Sequence, residues 1–463
     1  MPSATKGYYR FLILTFNSLA LVGCYYCYDI PSTIQGILQA PLSCNESNIT
    51  ECTEGFGLNS VQYNQLYAIS SFSCGVSVLI AGYLVDRCGN VVGLIMFSVF
   101  AVIGTLIFAI SALFKGALLM FPGMLIGRLF FGSAYGSTSV IANRMTAFWF
   151  KDKEIALAFG FVISSWRAAG CLNFFLSKSF ANDFGVIWTL WFGTLLVCIS
   201  FLAAIVSSAL EIHGKKQLPI IDYKLVTFRL LDVVKLSPLY WLTSASLALN
   251  FSIIYAFIAD SSEFIRIKYN YAADSTAPSY YTGTVYLVAT FLSPIIGMLI
   301  DQIGRRCLLG VFSSIGSILV FCMFAFTHFH PLIGTILLGI IVGITGTALW
   351  SCLPLVVPEA ILGTAMGVST CIVMLSISSC NMIVGEILQD QEQNEKRWKL
   401  VMIFLLGLSV VYLIINILTY IIDIKKGGVL NTTKKKTKKS RPSSETQDAL
   451  FTNTENEGIP LIH

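Results

Sequence analysis

Three charged side chains lie inside long apolar runs, where water cannot solvate them. Arg167 lies in "SSWRAAG", Arg128 in "GRLFFGSAYG" and Asp29 in "CYYCYDIPST". A charge near the centre of a bilayer costs from ~2.5 kcal/mol upward, so such residues pair with one another or meet a ligand. Arg167 stands about thirteen residues into its run, which at ~1.5 Å per residue puts it near the midplane. Its guanidinium offers a planar fork of donors that matches a carboxylate. It is expected to face a cavity and bind an anionic substrate group, with a buried structural pair as the alternative. Arg128 shares a helical face with Gly132, Gly136 and Ser139. It reads either as a gating or charge-relay group or as the structural partner of Asp29. Asp29 sits just before Pro31, which loosens a helix. Its leading role is partner of an arginine, with proton binding or a simple cap as alternatives. Tyr28, Trp166, Trp350 and Glu386 complete the candidate substrate-binding set. The two tryptophans serve packing as readily as a ligand, and Glu386 lies near the end of its apolar run. No catalytic constellation stands out. The four histidines fall in loops or the tail, and no Gly-rich loop precedes a Lys-Ser/Thr pair, so no metal, cofactor or ATP-driven chemistry is expected.

The elements that hold these charges are membrane helices. Of 463 residues, 55% are apolar and 12% charged, about half the charged share of a soluble domain. Twelve runs reach the ~20 residues that span a bilayer: 8–32, 61–84, 91–113, 118–148, 154–178, 184–210, 238–259, 280–300, 307–327, 331–353, 357–388 and 398–423. Helices are the form such runs take, because every backbone group must be satisfied within hydrocarbon. The expected fold class is an all-α membrane protein with twelve transmembrane helices in two six-helix bundles. The expected organisation is a cytosolic N-terminus at 1–7, a first bundle at 8–210, a central cytosolic loop at 211–237, a second bundle at 238–424 and a disordered cytosolic tail at 425–463. Glu211, Lys215, Lys216 and Lys224 read as solvated charges of the central loop.

The loop at 33–60 fixes orientation. "LSCNESNITEC" carries sequons at Asn45 and Asn48 between Cys44 and Cys52. Glycans and lasting disulfides belong to the lumenal or extracellular side. The loop is therefore expected to be lumenal, glycosylated and closed by a Cys44–Cys52 disulfide, with unused sequons and free thiols as the alternative. Both termini are then cytosolic. On that topology 20 of the 30 Lys and Arg residues are cytosolic and 7 lumenal, in keeping with the positive-inside rule. The run "KKKTKK" is expected to anchor the tail near anionic lipid.

An internal repeat bears on architecture. "GYLVDRCGN" (Gly82, Asp86, Arg87, Gly89) and "GMLIDQIGRR" (Gly297, Asp301, Gly304, Arg305) share Gly-x-Leu-x-Asp-x-x-Gly, 215 residues apart. Each follows the second span of a six-span half, the pattern of a duplicated transporter. Gly82 and Gly297 are expected to allow close helix approach. Asp86 and Asp301 are expected to cap a helix end and pair with the neighbouring arginines, and Gly89 and Gly304 to permit the turn. The motif resembles that of the major facilitator superfamily, a resemblance covering about residues 8–424. It implies two bundles rocking about a central cavity.

Closer likeness is found in "YYCYDIP", "YNQLYAISSF", "FWFKDKEIALAFGFVISSWR" and "ALWSCLPLVVPEAILGTAMG". These stretches resemble the family of major facilitator superfamily domain-containing protein 1. The resemblance implies export of dipeptides from lysosomes by facilitated diffusion, beside a glycosylated single-span accessory protein. It implies that Arg167 holds the peptide carboxylate. The family's acid for the peptide amino group falls at Gly136 here, so Asp29 or Glu386 must substitute or the substrate must differ. The tail ends "TENEGIPLIH", in which Glu457, Leu461 and Ile462 fit an acidic dileucine sorting signal read by cytosolic adaptor complexes. The expected function is a lysosomal secondary transporter of dipeptides or similar small carboxylate-bearing solutes. Its rivals are an organic-anion or amino-acid carrier, with or without proton coupling, and a non-transporting nutrient sensor.

Overall fold

The computed structural model describes residues 8–42, 55–150, 154–217, 236–357, 362–389, 394–428 and 430–431. Among these every regular element is helical: α1 (Tyr8–Tyr28), α2 (Ile30–Thr33), α3 (Gln35–Gln39), α4 (Ser60–Leu113), α5 (Met120–Trp149), α6 (Ile155–Phe184) and α7 (Val186–Gln217) in the first half. The second half holds α8 (Pro238–Lys268), α9 (Ala277–Ile303), α10 (Arg306–Phe326), α11 (Pro331–Ala348), α12 (Leu353–Val356), α13 (Leu362–Gln389) and α14 (Asn394–Lys425). Among the described residues 11 segments are long and apolar enough to cross a membrane. The 30-residue α5 is the further long helix. Glycines and two arginines dilute its hydropathy, for packing reasons set out below.

Local chemistry sets the breaks. The first span ends as a helix at Tyr28, and Pro31 sits in the first turn of α2. Proline has no N–H to give to the preceding turn, so the chain steps sideways here: the Ser32 amide turns to Asp29 O at 3.1 Å, which leaves the Tyr28 carbonyl outside the helix ladder. Asn59 starts α4 with a capping box: its side chain accepts from the Gln62 amide at 2.7 Å, and Gln62 accepts from the Asn59 amide at 3.1 Å. The expected loop between the second and third spans is almost absent. α4 runs through it with one non-helical residue, Gly89 at φ 85, a value glycine adopts without strain. Gly304 makes the matching turn at φ 72, followed by Arg305 at φ 53. Gly89 and Gly304 thus serve as the repeat suggests. The side chains of Asp86, Arg87 and Asp301, together with Asn45, Asn48, Cys44, Cys52, Glu457, Leu461 and Ile462, lie outside the described residues.

The two halves meet at the end that carries the first loop. Ser32 Oγ donates to Ile258 O at 2.7 Å, and Tyr63 Oη donates to Ala259 O at 2.6 Å. Lys178 Nζ donates to Ala273 O at 3.0 Å, and Asn182 Nδ2 donates to Asp274 O at 2.5 Å. Midway along, Ser378 Oγ of α13 donates to Ala68 O of α4 at 2.8 Å. Towards the linker end, a Cβ built on Gly82, Gly160, Gly297 or Gly367 would meet nothing within 4 Å among the described residues. Those glycines lie on α4, α6, α9 and α13, whose other ends form the interface. The close helix contact expected at Gly82 and Gly297 is not found among the described residues, and the hydrogen bonds between the halves named above lie at the first-loop end and midway along.

Two further expectations change. Glu211 is not a solvated linker charge: it is 0% exposed, accepts from Asn90 Nδ2 at 3.3 Å and from Trp149 Nε1, and pairs with Lys215 at 2.7 Å. A helix longer than the apolar run carries it back over the bundle. The tail does not leave the fold at 425. Asp423 accepts from the Leu430 amide and from Asn431 Nδ2, both at 2.8 Å, and Leu430 is fully buried beside Leu239, Cys307 and Cys352. Gly427 and Gly428, at φ 87 and 71, make the reversal.

Candidate functional site

α6 carries Arg167 into the space between the halves. The residue is 4% exposed. Its Nη1 donates across the interface to Ala289 O of α9 at 3.2 Å and to Ser293 Oγ. Its Cζ lies 5.2 Å from the centroid of the adjacent Trp166 ring, within range of a cation–π contact. On the far wall a Cβ at Gly346 of α11 would stand 2.5 Å from Nη2, so glycine leaves the guanidinium its room. No carboxylate lies within 4 Å of it among the described residues. A buried guanidinium served by two neutral acceptors is electrostatically incomplete.

Arg167 borders a small, narrow cavity between the halves. Trp166, Tyr255, Tyr286 and Asn250 line it. Asn250 Nδ2 donates to Thr345 Oγ1 at 3.2 Å, while Asn250 Oδ1 is buried without a partner among the described residues. An unsatisfied buried acceptor costs about 1–3 kcal/mol, so the cavity wall offers both a cation and an idle acceptor. Tyr286 Oη donates to Asp29 Oδ2 at 2.7 Å, and Asp29 Oδ1 has no partner among the described residues. Asp29 thus stands directly behind a cavity-lining phenol, with its second oxygen unused.

Arg128 occupies a different place. Nη1 and Nη2 both donate to Tyr28 O at 3.2 Å, and Tyr67, Phe108 and Phe131 surround the guanidinium at 5.3–5.5 Å. It borders a separate cleft within the first half, with Cys27, Pro31 and Thr194. The expected direct pair of Arg128 with Asp29 does not form. Arg128 bonds the carbonyl freed at the end of α1, and the Asp29 carboxylate turns across the interface to Tyr286.

Tyr28 is buried, shares a 3.2 Å bond with Ser71 Oγ and stacks on Tyr135 at 4.7 Å. Trp166 lines the cavity and stacks on Tyr25 at 4.8 Å. Trp350 stands one layer back, edge-on to Phe251 at 6.1 Å. Glu386 is exposed on the α13 face that carries Met382 and Ile383, apart from the cluster. Gly136 faces α4. A Cβ there would strike Cys74 Sγ and lie 2.8 Å from Val78 Cγ2, while Gly132 abuts Ser70 and Ser73. The Gly132–Gly136 stripe packs helices and leaves no space for an acid. Sequence reasoning missed Tyr286, Ser293 and Asn250. Each is an ordinary residue type in an apolar run, and only the crossing of helices from opposite halves marks it.

Two six-helix halves packed about a central cavity with a buried cation in its wall define a membrane transport protein. The chain belongs to the major facilitator superfamily, whose family profile matches residues 30–380. It is 28% identical over 435 residues to the lysosomal dipeptide transporter MFSD1 of Danio rerio, covering 91% of this chain and 89% of that protein. The MFSD1 proteins of Pongo abelii and Homo sapiens are each 27% identical over 437 residues, covering 91% of this chain and 88% of each relative. Among solved structures the nucleoside transporter NupG aligns with a TM-score of 0.67 at 14% identity, covering 88% of this chain and 100% of that one. That last likeness concerns the fold alone.

Proposed function

We propose that this protein exports dipeptides, or similar small carboxylate-bearing solutes, from the lysosome to the cytosol by facilitated diffusion. The carrying observation is Arg167: a cation 4% exposed, at the wall of the central cavity, with no carboxylate within 4 Å among the described residues. A substrate carboxylate completes it through the bidentate geometry that guanidinium favours. Asn250 Oδ1 accepts an N–H from the bound solute. Asp29, behind Tyr286, supplies the negative end that Gly136 cannot. The similarity to lysosomal dipeptide transporters, over nine-tenths of the chain, supports the substrate class.

In this reading the first loop is lumenal and glycosylated, both termini are cytosolic, and the shut first-loop end makes this the inward-open state. The tail signal at Glu457, Leu461 and Ile462 directs sorting through adaptor complexes. A glycosylated accessory protein binds from the membrane. A second reading, a carrier of amine-free organic anions, draws on the absence of an acid at Gly136. Uptake of labelled dipeptides into proteoliposomes, with and without a pH gradient, tests both. The first reading expects saturable dipeptide flux that needs no gradient. Flux of amine-free carboxylates alone, from well-folded protein, overturns it in favour of the second.

A further inference from the structure

The closed first-loop end contains a buried acid that the transport reading does not use. Asp260 of α8 is 2% exposed. Gln35 of α3, from the opposite half, donates Nε2 to Asp260 Oδ1 at 2.6 Å. Among the described residues Asp260 Oδ2 has no partner within 3.5 Å, and neither does Gln35 Oε1, which is itself 1% exposed. Asn64 of α4 is wholly buried beside them. Its Nδ2 donates to Ser60 O at 3.2 Å, and its Oδ1 is also unpartnered. Acceptor oxygens thus crowd one dry pocket between the halves, and the donors beside the carboxylate, the amides of Gln35 and Asn64, are neutral.

The ionisable neighbours do not relieve this. Tyr63 of α4 spends its hydroxyl on Ala259 O at 2.6 Å. Cys380 of α13 brings a thiol and no positive charge. On α8 itself Glu263 and Arg266 are closed on each other at 2.5 and 2.8 Å. Lys178 of α6 is directed to Ala273 O at 3.0 Å. No basic group lies within 4 Å of the Asp260 carboxylate among the described residues. Asp29, by contrast, has the Arg128 charge nearby.

We propose that Asp260 is a proton-binding site built into the first-loop gate: it holds a proton while the gate is shut and exchanges it when that end opens. A bare carboxylate here would be a buried charge without a counter-ion, the arrangement proteins avoid by neutralising the group. A proton on Oδ2 removes that charge. It also supplies a donor where acceptors are in excess, so one event corrects both faults. The proton bridges halves: Asp260 belongs to the second, Gln35 and Asn64 to the first. Separation of α3 and α4 from α8 would return the carboxyl to water, where it ionises. Acidity at the first-loop side therefore favours closure over open, empty protein. No substrate is needed for this linkage, so it stands or falls apart from the dipeptide reading.

The test uses the full chain in lipid nanodiscs without substrate. Spin labels replace Phe184 and Phe329, which are 62% and 59% exposed on opposite halves at the first-loop end, in a background lacking Cys44, Cys52 and Cys88. One linked proton changes the closed-to-open ratio by at most about tenfold per pH unit. Between about pH 7.5 and about pH 5 the closed-to-open ratio should rise about tenfold or more within that limit. Asp260→Asn should abolish the response and stay closed throughout. Gln35→Met removes the donor that serves the ionised carboxylate, so its closing midpoint should move to higher pH. A wild-type distance distribution indifferent to pH, one answering to sodium at fixed pH, or an unaltered response in Asp260→Asn or Gln35→Met overturns the proposal.

Discussion

Arg167→Lys isolates the property on which the transport reading depends. Lysine keeps the charge and loses the fork. In the native protein Nη1 is already occupied by Ala289 O and Ser293 Oγ, so the remaining face is what a carboxylate meets. A compact ammonium reaches one carboxylate oxygen where the guanidinium reaches two. Loss of one charge-assisted bond is worth about 1.5–3 kcal/mol, or roughly a 10- to 150-fold rise in KM for dipeptide flux. The assay is initial-rate uptake into proteoliposomes of free dipeptides and of their C-terminal amides. Wild-type protein should prefer the free acids, and Arg167→Lys should lose most of that preference. Ser293→Ala is the control. It removes one bond from the arginine without touching its charge, and should shift KM by no more than about fivefold, the worth of ~1 kcal/mol. An unchanged preference for the free acid in Arg167→Lys would refute the assignment, because a purely structural arginine has no means of sensing the substrate's terminus.

Asp29→Asn retains an acceptor for Tyr286 and removes the charge. Dipeptide uptake should fall about tenfold or more, from a loss of ~1.5 kcal/mol or above, while uptake of des-amino analogues holds in the same flux assay. Gly136→Ala pushes a methyl into Cys74 and Val78 and should destabilise the purified protein by about 1–3 kcal/mol. Cys74→Ala, adding room at that contact, should restore part of the loss in thermal unfolding, so the two changes are non-additive. Replacement of Leu461 and Ile462 by Ala should move the protein from lysosomes to the cell surface, as read by surface biotinylation.

Much of the fold was open to reading in one dimension, because a bilayer imposes its demand on every stretch of about twenty residues separately. The spans, the duplicated Gly-x-Leu-x-Asp-x-x-Gly and the turns at Gly89 and Gly304 required no knowledge of neighbours. Arg167 was legible for the same reason: a guanidinium far from either interface marks itself by cost. Glu211 was misread because its surroundings in the chain are polar, and only the overhang of α7 shows that it returns to Asn90 and Trp149. Leu430 was hidden in the same way, one of two apolar residues between a glycine pair and a basic tail.

The sequence by itself determined the solvent, the number of spans, the two-fold repeat and the presence of unpaired charge in the membrane. Each is a property of a local segment weighed against water or hydrocarbon. Tertiary structure alone decided that Arg128 bonds the Tyr28 carbonyl and Asp29 reaches Tyr286. It alone turned Gly136 towards α4 and joined Asp260 to Gln35 across the halves. Those facts depend on which helix faces come within about 3 Å of one another, the reach of a hydrogen bond. That distance is set by the packing of all the helices together, and no single stretch of chain contains it.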